Sequence, residues 1–545
     1  TSFNIRYKTL KRFHIKSLQT IKTKIYMKIK LLLISPLIIL NSVYSQVGVL
    51  DPAFGNNGIT VTDVSNNAID DAGHSVLVND NGTIIVTGYS TNTNGDKDFA
   101  LVQYDSNGLL DNSFGTNGIV ILDINGFDDV ALSSVLQTDG KIITVGYTNN
   151  TDKDIIVVRF NSNGSLDTSY ATNGIYTYDS GADDSAETVA ILPNDKIIVG
   201  CKISTNYGVI KITSIGINDT AFGSNGIVTT NLGGSDYIKD IKLQSDGKII
   251  ITGTSSKNDT GDGDVYDKAL IRYNPNGSLD TSFNSTGILF NSFESGGNDG
   301  GYSIIIQSDG KIIVCGSSYI GTNDDNFALT RYNNDGSIDN TFGNNGTTIT
   351  DFGSSLDLCF SSVLQNDGEI ILGGYIINGT TYDFDFGLAR YDSNGILDTS
   401  FGTNGISITD INNNSIDYGL SLAFHQDNKV LLAGNSRIAG GASDFTIARY
   451  SIDGNLGIDD FINNSKNYLI YPNPATESIS IINRTFNTDN VDIEIYSVDG
   501  KRIKTITDYN FDYNQKIPLV NLTKGVYLIR ISNNRTSENL KIIKK

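Results

Sequence analysis

The chain has 545 residues, with 60 acidic side chains against 40 basic ones and a formal net charge of −20. That balance argues against a nucleic-acid binder, because phosphate neutralisation needs Lys and Arg in excess, and it suits solubility outside the cell. With 56 Gly, seven Pro, one Met and no Trp, the composition fits short strands joined by tight turns rather than helical bundles.

The single methionine, Met27, is followed by Lys28-Ile29-Lys30, an apolar run from Leu31 to Leu40, and Asn41-Ser42-Val43-Tyr44-Ser45. A charged start, a short apolar run and a small-residue exit make a secretory signal peptide over residues 27–45. The run is too short to span a bilayer comfortably, so the mature chain is expected to have no transmembrane helix. Residues 1–26 are basic and read as a mis-annotated upstream extension. The cysteines, Cys201, Cys315 and Cys359, fit neither a disulfide framework nor a zinc pattern. Each sits in or beside an apolar strand signal and is expected to be a buried free thiol. His14, His74 and His425 are too few and too scattered for a His-rich metal site.

From Leu50 to about Asn455 one unit repeats. Its marker, Leu-Asp-x-x-Phe-Gly-x-x-Gly-Ile, starts at Leu50 and again at Leu110; fuller or degenerate copies place aromatics at Tyr170, Phe222, Phe283, Phe342 and Phe401. The mean step of about 58 residues lies near the long end of propeller-repeat periods. Each unit carries four strand signals: one after the marker (Ile119 to Leu122), a hairpin about Asp139-Gly140, and a strand ending in Arg or Gln plus an aromatic (Asp98 to Tyr104). Asp-Gly recurs at Asp246-Gly247, Asp309-Gly310 and Asp367-Gly368, and both of its residues tolerate positive φ. Four antiparallel strands repeated seven times predict an all-β, seven-bladed β-propeller over residues 50–455, with the segment after Gly58 completing the last blade. An open solenoid is the other architecture such a repeat permits.

Two rows of aspartates repeat with the unit. Twelve residues before the residue that opens the third strand signal stand Asp71, Asp129, Asp184, Asp236, Asp299, Asp357 and Asp417. The marker supplies Asp51, Asp111, Asp167, Asp219, Asp280, Asp339 and Asp398. A residue needed in every blade serves the blade, so these are expected to hold turns or to pair with Arg159, Arg272, Arg331, Arg390 and Arg449. A cation-binding ring of carboxylates is the competing reading. What differs between blades is the loop before the fourth strand signal. In unit four it holds Asp259, Asp262 and Asp264, whose oxygens suit Ca²⁺ without matching a calcium-loop spacing. No other cofactor is expected.

The marker and the Gln-x-Asp-Gly-Lys-Ile-Ile hairpins resemble the delta-60 repeat family, a bacterial β-propeller domain of unknown function. The family implies no catalytic residues. Unit three departs from it, with Tyr170-Ala171 for Phe-Gly and no hairpin Gly, and unit four has Asn218 for Leu.

After a polar linker over 456–467, residues 468–545 carry strand signals at Ser478 to Ile482, Val491 to Tyr496, Ile517 to Leu519 and Gly525 to Ile531, which predict a small β-sandwich. Tyr471-Pro472-Asn473-Pro474, Val498-Asp499-Gly500-Lys501 and Lys524-Gly525-Val526-Tyr527 resemble the type A sorting domain of the type IX secretion system, a family of Bacteroidetes. The resemblance implies passage through the periplasm, recognition by the secretion machinery, and release or display at the outer-membrane surface. A stray immunoglobulin-like module is the other reading. No nucleophile elbow, phosphate loop or zinc-helix motif is present. The expected function is therefore a non-catalytic binding or adhesion module for an extracellular glycan or protein. The alternatives are an extracellular polysaccharide hydrolase or lyase, which would need a blade-specific acid pair, and a purely structural spacer.

Overall fold

The computed structural model describes residues 47–66, 69–256, 266–293, 299–319, 324–353, 356–377, 383–412, 415–425, 428–437, 441–452, 468–471, 475–483, 491–497, 501–509, 516–520, 522–532 and 537–544. The extension over 1–26, the signal peptide over 27–45 and the linker over 456–467 lie outside them. Regular elements among the described residues are all strands, and no helix is long and apolar enough to cross a membrane. The chain divides into two compact units, residues 46–454 and a unit that holds residues 455–545.

The first unit is a set of antiparallel four-stranded blades. Blade 1 is Asp71–Val78, Ile84–Thr91, Lys97–Tyr104 and Ile119–Leu122, paired in that order. The pattern recurs from Asp128–Leu136, Asp184–Ile191, Asp236–Leu243, Gly300–Ile306 and Asp357–Leu364, the innermost strands of the next five blades. Blade 7 is Ile416–His425, Lys429–Arg437 and Ser443–Ser451, completed by Ile59–Thr62 from the other end of the repeat region. Each innermost strand packs against three strands of the preceding blade, and Asp71–Val78 packs against blade 7, so the ring closes. The sequence unit and the blade are therefore out of phase by one strand. The strand that follows each marker is the outer strand of the blade before it.

Apolar cores sit between blades rather than within them. Phe99, Leu101 and Phe114 meet Ala131, Ile142 and Ile156 across the first junction, and Val86 and Val102 meet Leu431 and Ile447 across the last. A lone blade would leave both faces wet, so the ring is the smallest arrangement that buries them.

The hairpins differ in detail from the sequence expectation. The loop has three residues, closed by Gly140 N donating to Gln137 O (2.9 Å) and Gln137 N donating to Lys141 O (2.8 Å). Only the glycine is left-handed (Gly140 φ 80°, Gly247 φ 82°, Gly310 φ 85°), which is a turn followed by a bulge. The aspartate instead accepts a backbone hydrogen bond two residues on, as in Lys141 N to Asp139 Oδ1 (3.1 Å). Blade 3 has Asp195 and blade 7 has Asn428, both at φ 57°, where the other five hairpins have glycine.

One polar device joins blade to blade. In five blades a buried guanidinium near the end of the third strand donates from Nε to the marker aspartate: Arg159 to Asp167 (2.8 Å), Arg272 to Asp280 (2.7 Å), Arg331 to Asp339 (2.8 Å), Arg390 to Asp398 (2.8 Å) and Arg449 to Asp51 (2.8 Å). One Nη then reaches a carbonyl of the next blade: Ser214, Asn334, Ser393, Ile452 and Ser106 in turn. The same guanidinium lies over the marker aromatic, 4.5 Å from Tyr170 and 4.6 Å from Phe54. At the two junctions without arginine, Gln103 donates to Asp111 (2.9 Å) and Lys211 stands 3.8 Å from Asp219. A backbone bond seconds the clamp, from marker residues such as Gly115 N to Asn163 O (2.9 Å) and Gly343 N to Asn394 O (2.8 Å). At the junction of blades 6 and 7 the acceptor is Val47 O, 2.7 Å from Gly402 N, and at the closing junction Gly55 N donates to Asn107 O (2.8 Å).

In the second unit, Tyr468–Tyr471, Ser478–Asn483 and Ile517–Pro518 form one sheet, and Arg502–Tyr509, Val491–Ser497, Gly525–Ser532 and Ser537–Lys544 form another. Ile479 and Ile481 of the first share one core with Ile493, Ile495, Ile529 and Ile542 of the second. Three strands, at 468–471, 502–509 and 537–544, go beyond the sequence expectation. The last two are the edges of their sheet, and edge strands carry the lysines and polar residues that mask a strand signal.

Removing residues 47–62 takes away the outer strand of blade 7 and the carboxylate partner of Arg449. We expect a lower unfolding temperature and self-association through the bared edge, read by thermal unfolding and light scattering; an unchanged monomer would refute the closure. Arg272→Met leaves Asp280 buried without its guanidinium and should cost about 3–5 kcal/mol in denaturant unfolding. Burial alone would raise the Asp280 carboxyl, but hydrogen bonds from Ser282 and Lys248 and the Arg272 charge outweigh it and hold it at about 2. Its stabilising contribution is thus complete above its ordinary value near 3.8 and lost as pH falls toward 2. Asp280→Asn should flatten that acid loss in pH-dependent unfolding.

Candidate functional site

The row of aspartates from Asp71 to Asp417 opens the innermost strands. All seven (Asp71, Asp129, Asp184, Asp236, Asp299, Asp357 and Asp417) are buried. In each, Oδ2 accepts a backbone N–H from the loop that leaves the preceding outer strand: Val64, Ile124, Ser180, Leu232, Phe293, Phe352 and Ile411. Oδ1 commonly takes a group from the end of the second strand, as from Thr91 N (3.1 Å) or Ser255 Oγ (2.6 Å). The carboxylate thus ties the entry loop, the first strand and the second strand together. Burial is the main cause that raises the Asp71, Asp129, Asp236 and Asp417 carboxyls, and Asp129 is pushed up to about 7.

Blade-specific chemistry sits beside this row. Every innermost strand carries one β-bulge at the same register, between Gly73 and Ser75, Ala131 and Ser133, Ala186 and Thr188, Ile238 and Asp240, Gly301 and Ser303, Cys359 and Ser361, and Gly419 and Ser421. A bulge re-aims the extra residue out of the pleat. The seven bulged residues are His74, Leu132, Glu187, Lys239, Tyr302, Phe360 and Leu420, all half-buried and all different in kind from the aspartate row. Neighbours meet around the inner strands. His74 Nδ1 lies 2.8 Å from Ala131 O, Lys239 Nζ 3.9 Å from Glu187, and the Tyr302 and Phe360 rings 5.1 Å apart. Desolvation pushes the His74 imidazole down, so it is neutral at pH 7.

In blades 5 to 7 the belt becomes aromatic. Phe360 stacks on Tyr375 (5.1 Å), and Tyr375 meets Phe384 (5.4 Å) and Tyr418 (4.9 Å) edge-on. All five rings, with Tyr302, are partly exposed. The positions equivalent to Tyr375 are Tyr89, Tyr147, Lys202, Thr254, Ser317 and Asn435, so the cluster is not a repeat feature. By contrast, the surface hollows lined by Gly343, Thr348 and Gly395 and by Gly115, Val120 and Gly164 use one set of repeat positions in two blades. They are grooves of the scaffold.

The calcium candidates Asp259, Asp262 and Asp264 lie outside the described residues. The three cysteines are buried and free. Of the sorting motif, Tyr471 ends a strand, Lys501 is exposed, and Gly525 and Val526 open the strand that ends at Ser532. Tyr527 is buried and its hydroxyl donates to Thr523 O (2.9 Å). Pro472, Asn473, Pro474 and Gly500 fall outside the described residues. The bulge belt was missed by sequence reasoning, because which residue is extra depends on the pairing of two strands and leaves no mark in one.

Family models match the chain in two places. Residues 469–545 match the secretion system C-terminal sorting domain. Residues 80–114, 137–170, 244–283, 307–342, 365–401 and 425–456 match the domain of unknown function (DUF5122) beta-propeller. The gap from 171 to 243 falls on the degenerate unit with Ala171 and Asp195. No curated protein matches the chain. Among solved structures, a protein of unknown function from Dyadobacter fermentans DSM 18053 is 12% identical, with 72% of this chain and 99% of that one covered and a TM-score of 0.42. The β-propeller domain of the Trilobed protease from Pyrococcus furiosus, described with an open velcro topology, is 10% identical over 70% and 97%, with a TM-score of 0.35. A polysaccharide lyase of the PL25 ulvan lyase family is 12% identical over 61% and 77%, with a TM-score of 0.30. The blades, their shared marker and the terminal domain make this chain a DUF5122 β-propeller protein with a secretion-system C-terminal sorting domain, secreted to the outer-membrane cell surface.

Proposed function

We propose that the propeller is a non-catalytic binding module that holds an extracellular glycan on the aromatic belt of blades 5 to 7. One observation carries this reading: Tyr302, Phe360, Tyr375, Phe384 and Tyr418 form a partly exposed five-ring cluster, whereas Tyr89 and Tyr147, at the position of Tyr375 in blades 1 and 2, have His74 and Leu132 in place of the bulge aromatics. Aromatic faces offer flat apolar area next to polar edges, which suits the alternating C–H and hydroxyl surface of a sugar ring. Each ring is held by its neighbours, so little conformational freedom is lost on binding. The sorting domain supports the location, since a surface protein meets polymers and other cells before it meets small metabolites. The secretion machinery is the partner that the second unit serves.

A glycan array probed with the full secreted chain should give a restricted set of ligands. Tyr375→Ala should weaken the best of them by about tenfold or more with unchanged thermal unfolding. No glycan binding by the parent chain, or equal binding by the variant, would sink the proposal; release of unsaturated or reducing ends from the bound polymer would turn it toward a lyase or hydrolase. Deleting residues 468–545 should strand the chain in the periplasm, as read by fractionation and surface labelling.

A further inference from the structure

The third strand, the loop after the outer strand and the next innermost strand bring together a further row of oxygens that the clamp does not use. In blade 1 these are Asp98, Asp123 and Asp129, whose carboxylates each place an oxygen within 4.8 Å of the others. The first two positions recur at a constant spacing of 25 residues: Asp98 and Asp123, Asp154 and Asp179, Asn206 and Asn231, Asn326 and Asp351, Asp385 and Asp410. Around the closure the same positions give Asp444, Asp63 and Asp71, again within 4.8 Å. Asp154 and Asp179 gather with Asp152, and Asp385 and Asp410 with Asp383. Every side chain in these rows is an oxygen donor, whatever its charge.

We infer that Asp98, Asp123 and Asp129 form a Ca²⁺ site between blades 1 and 2, one member of a set repeated around the ring. The marker aspartates of the same chain find Arg, Lys or Gln. Among the described residues none of these three forms an ion pair. Asp98 is 5% exposed, and its Oδ1 has no hydrogen-bond partner; Asn326 Oδ1, at the equivalent position and 1% exposed, has none either. A buried acceptor left without a donor costs about 1–3 kcal/mol, and three close carboxylates add mutual repulsion. A divalent cation removes both costs at once. Hard carboxylate and amide oxygens in sets of three, with room for water on the exposed Asp123 side, favour Ca²⁺, which accepts six to eight oxygens in loose geometry, over Mg²⁺, which demands a tight octahedron. Asp123 also stays fixed without the ion, because Gly126 N donates to its Oδ1 (2.6 Å). Where the row reads Asp267, Ser292 and Asp299, the chain supplies a buried cation of its own next in sequence, Lys268, whose ammonium lies 3.4 Å from the Phe293 ring centre.

The site is independent of the glycan reading, and its test uses no glycan. The full chain, stripped with chelator, is titrated with Ca²⁺ by calorimetry and equilibrium dialysis, with Mg²⁺ in parallel, and its unfolding temperature is followed. Ca²⁺ should bind with up to four equivalents, one for each gathered set, and should raise the unfolding temperature. Asp123→Asn, at an exposed position that keeps the Gly126 bond, should lose one equivalent or weaken it by about tenfold or more while the metal-free chain unfolds as before. Asp98→Asn should do the same. No Ca²⁺ uptake by the parent chain, full stoichiometry and affinity in both variants, or equal binding of Mg²⁺ would overturn the assignment.

Discussion

The arginine–aspartate clamp is the constraint on which the propeller depends. A blade is a sheet with two apolar faces, and its neighbours alone can cover them, so the ring stands or falls on the angle at which successive blades meet. Apolar contact is tolerant of sliding. A guanidinium is not: its planar fork fixes donors in direction. Arg272 uses Nε on Asp280 of its own marker, Nη on Asn334 of the next blade and its face on Phe283. Those three directions set strand, turn and neighbouring blade against one another. The buried charge is tolerable because it is paired and hydrogen-bonded in full; a lone guanidinium there would be costly. The two junctions that lack arginine keep the aspartate: Gln103 preserves the hydrogen bond to Asp111, Lys211 pairs with Asp219 by charge at 3.8 Å while Lys196 supplies the hydrogen bond, and both give up the fork.

Much of this was legible in the sequence because the device repeats. Asp280 and Arg272 recur eight residues apart in four units, and repetition converts a weak local signal into a strong one. The same argument reads the aspartates from Asp71 to Asp417 as blade residues, and their backbone hydrogen bonds agree with it. What was not legible was relational. The phase of blade and repeat, offset by one strand, depends on which edge the strand after each marker joins. The bulges at His74 and Tyr302 depend on cross-strand register. The aromatic cluster joins residues from Tyr302 to Tyr418 that are neighbours only once three blades have been stacked. Asp98 and Asp123 recur at a fixed spacing as well, but their meaning lies in the partner that is missing, and the absence of a counter-charge cannot be read along one chain.

The two kinds of aspartate give the ring two different electrostatic faces. Marker aspartates are paired by the chain itself, and the carboxyls of Asp111, Asp167, Asp219, Asp280, Asp339 and Asp398 are held low: Asp339 lies well below the ordinary range despite its burial, through Thr341, Lys311 and Arg331. At the strand-entry side burial raises several carboxyls, to about 7 at Asp129 and about 6 at Asp444. The second kind accepts hydrogen bonds from the entry loop and the second strand, as Asp71 does from Val64 N and Thr91 N, and it lies beside the variable belt rather than beside the clamp. The clamp and the variable belt are thereby separated along the strand direction, which lets the loops and bulges diversify without loosening the ring.

Closure joins residues that stand far apart in the chain. Arg449 meets Asp51 across a separation of 398 residues, and Gly402 meets Val47. Local hairpins can form as soon as their residues are available, whereas this contact carries the loop-closure entropy of the whole ring. Until it forms, the third strand of blade 7 presents a bare edge from Ser443 to Ser451, and an open edge recruits any other strand. The strand that covers it, Ile59–Thr62, lies at the start of the repeat region, and the sorting domain follows the end. The last blade is therefore completed only when the two ends of the repeat region meet.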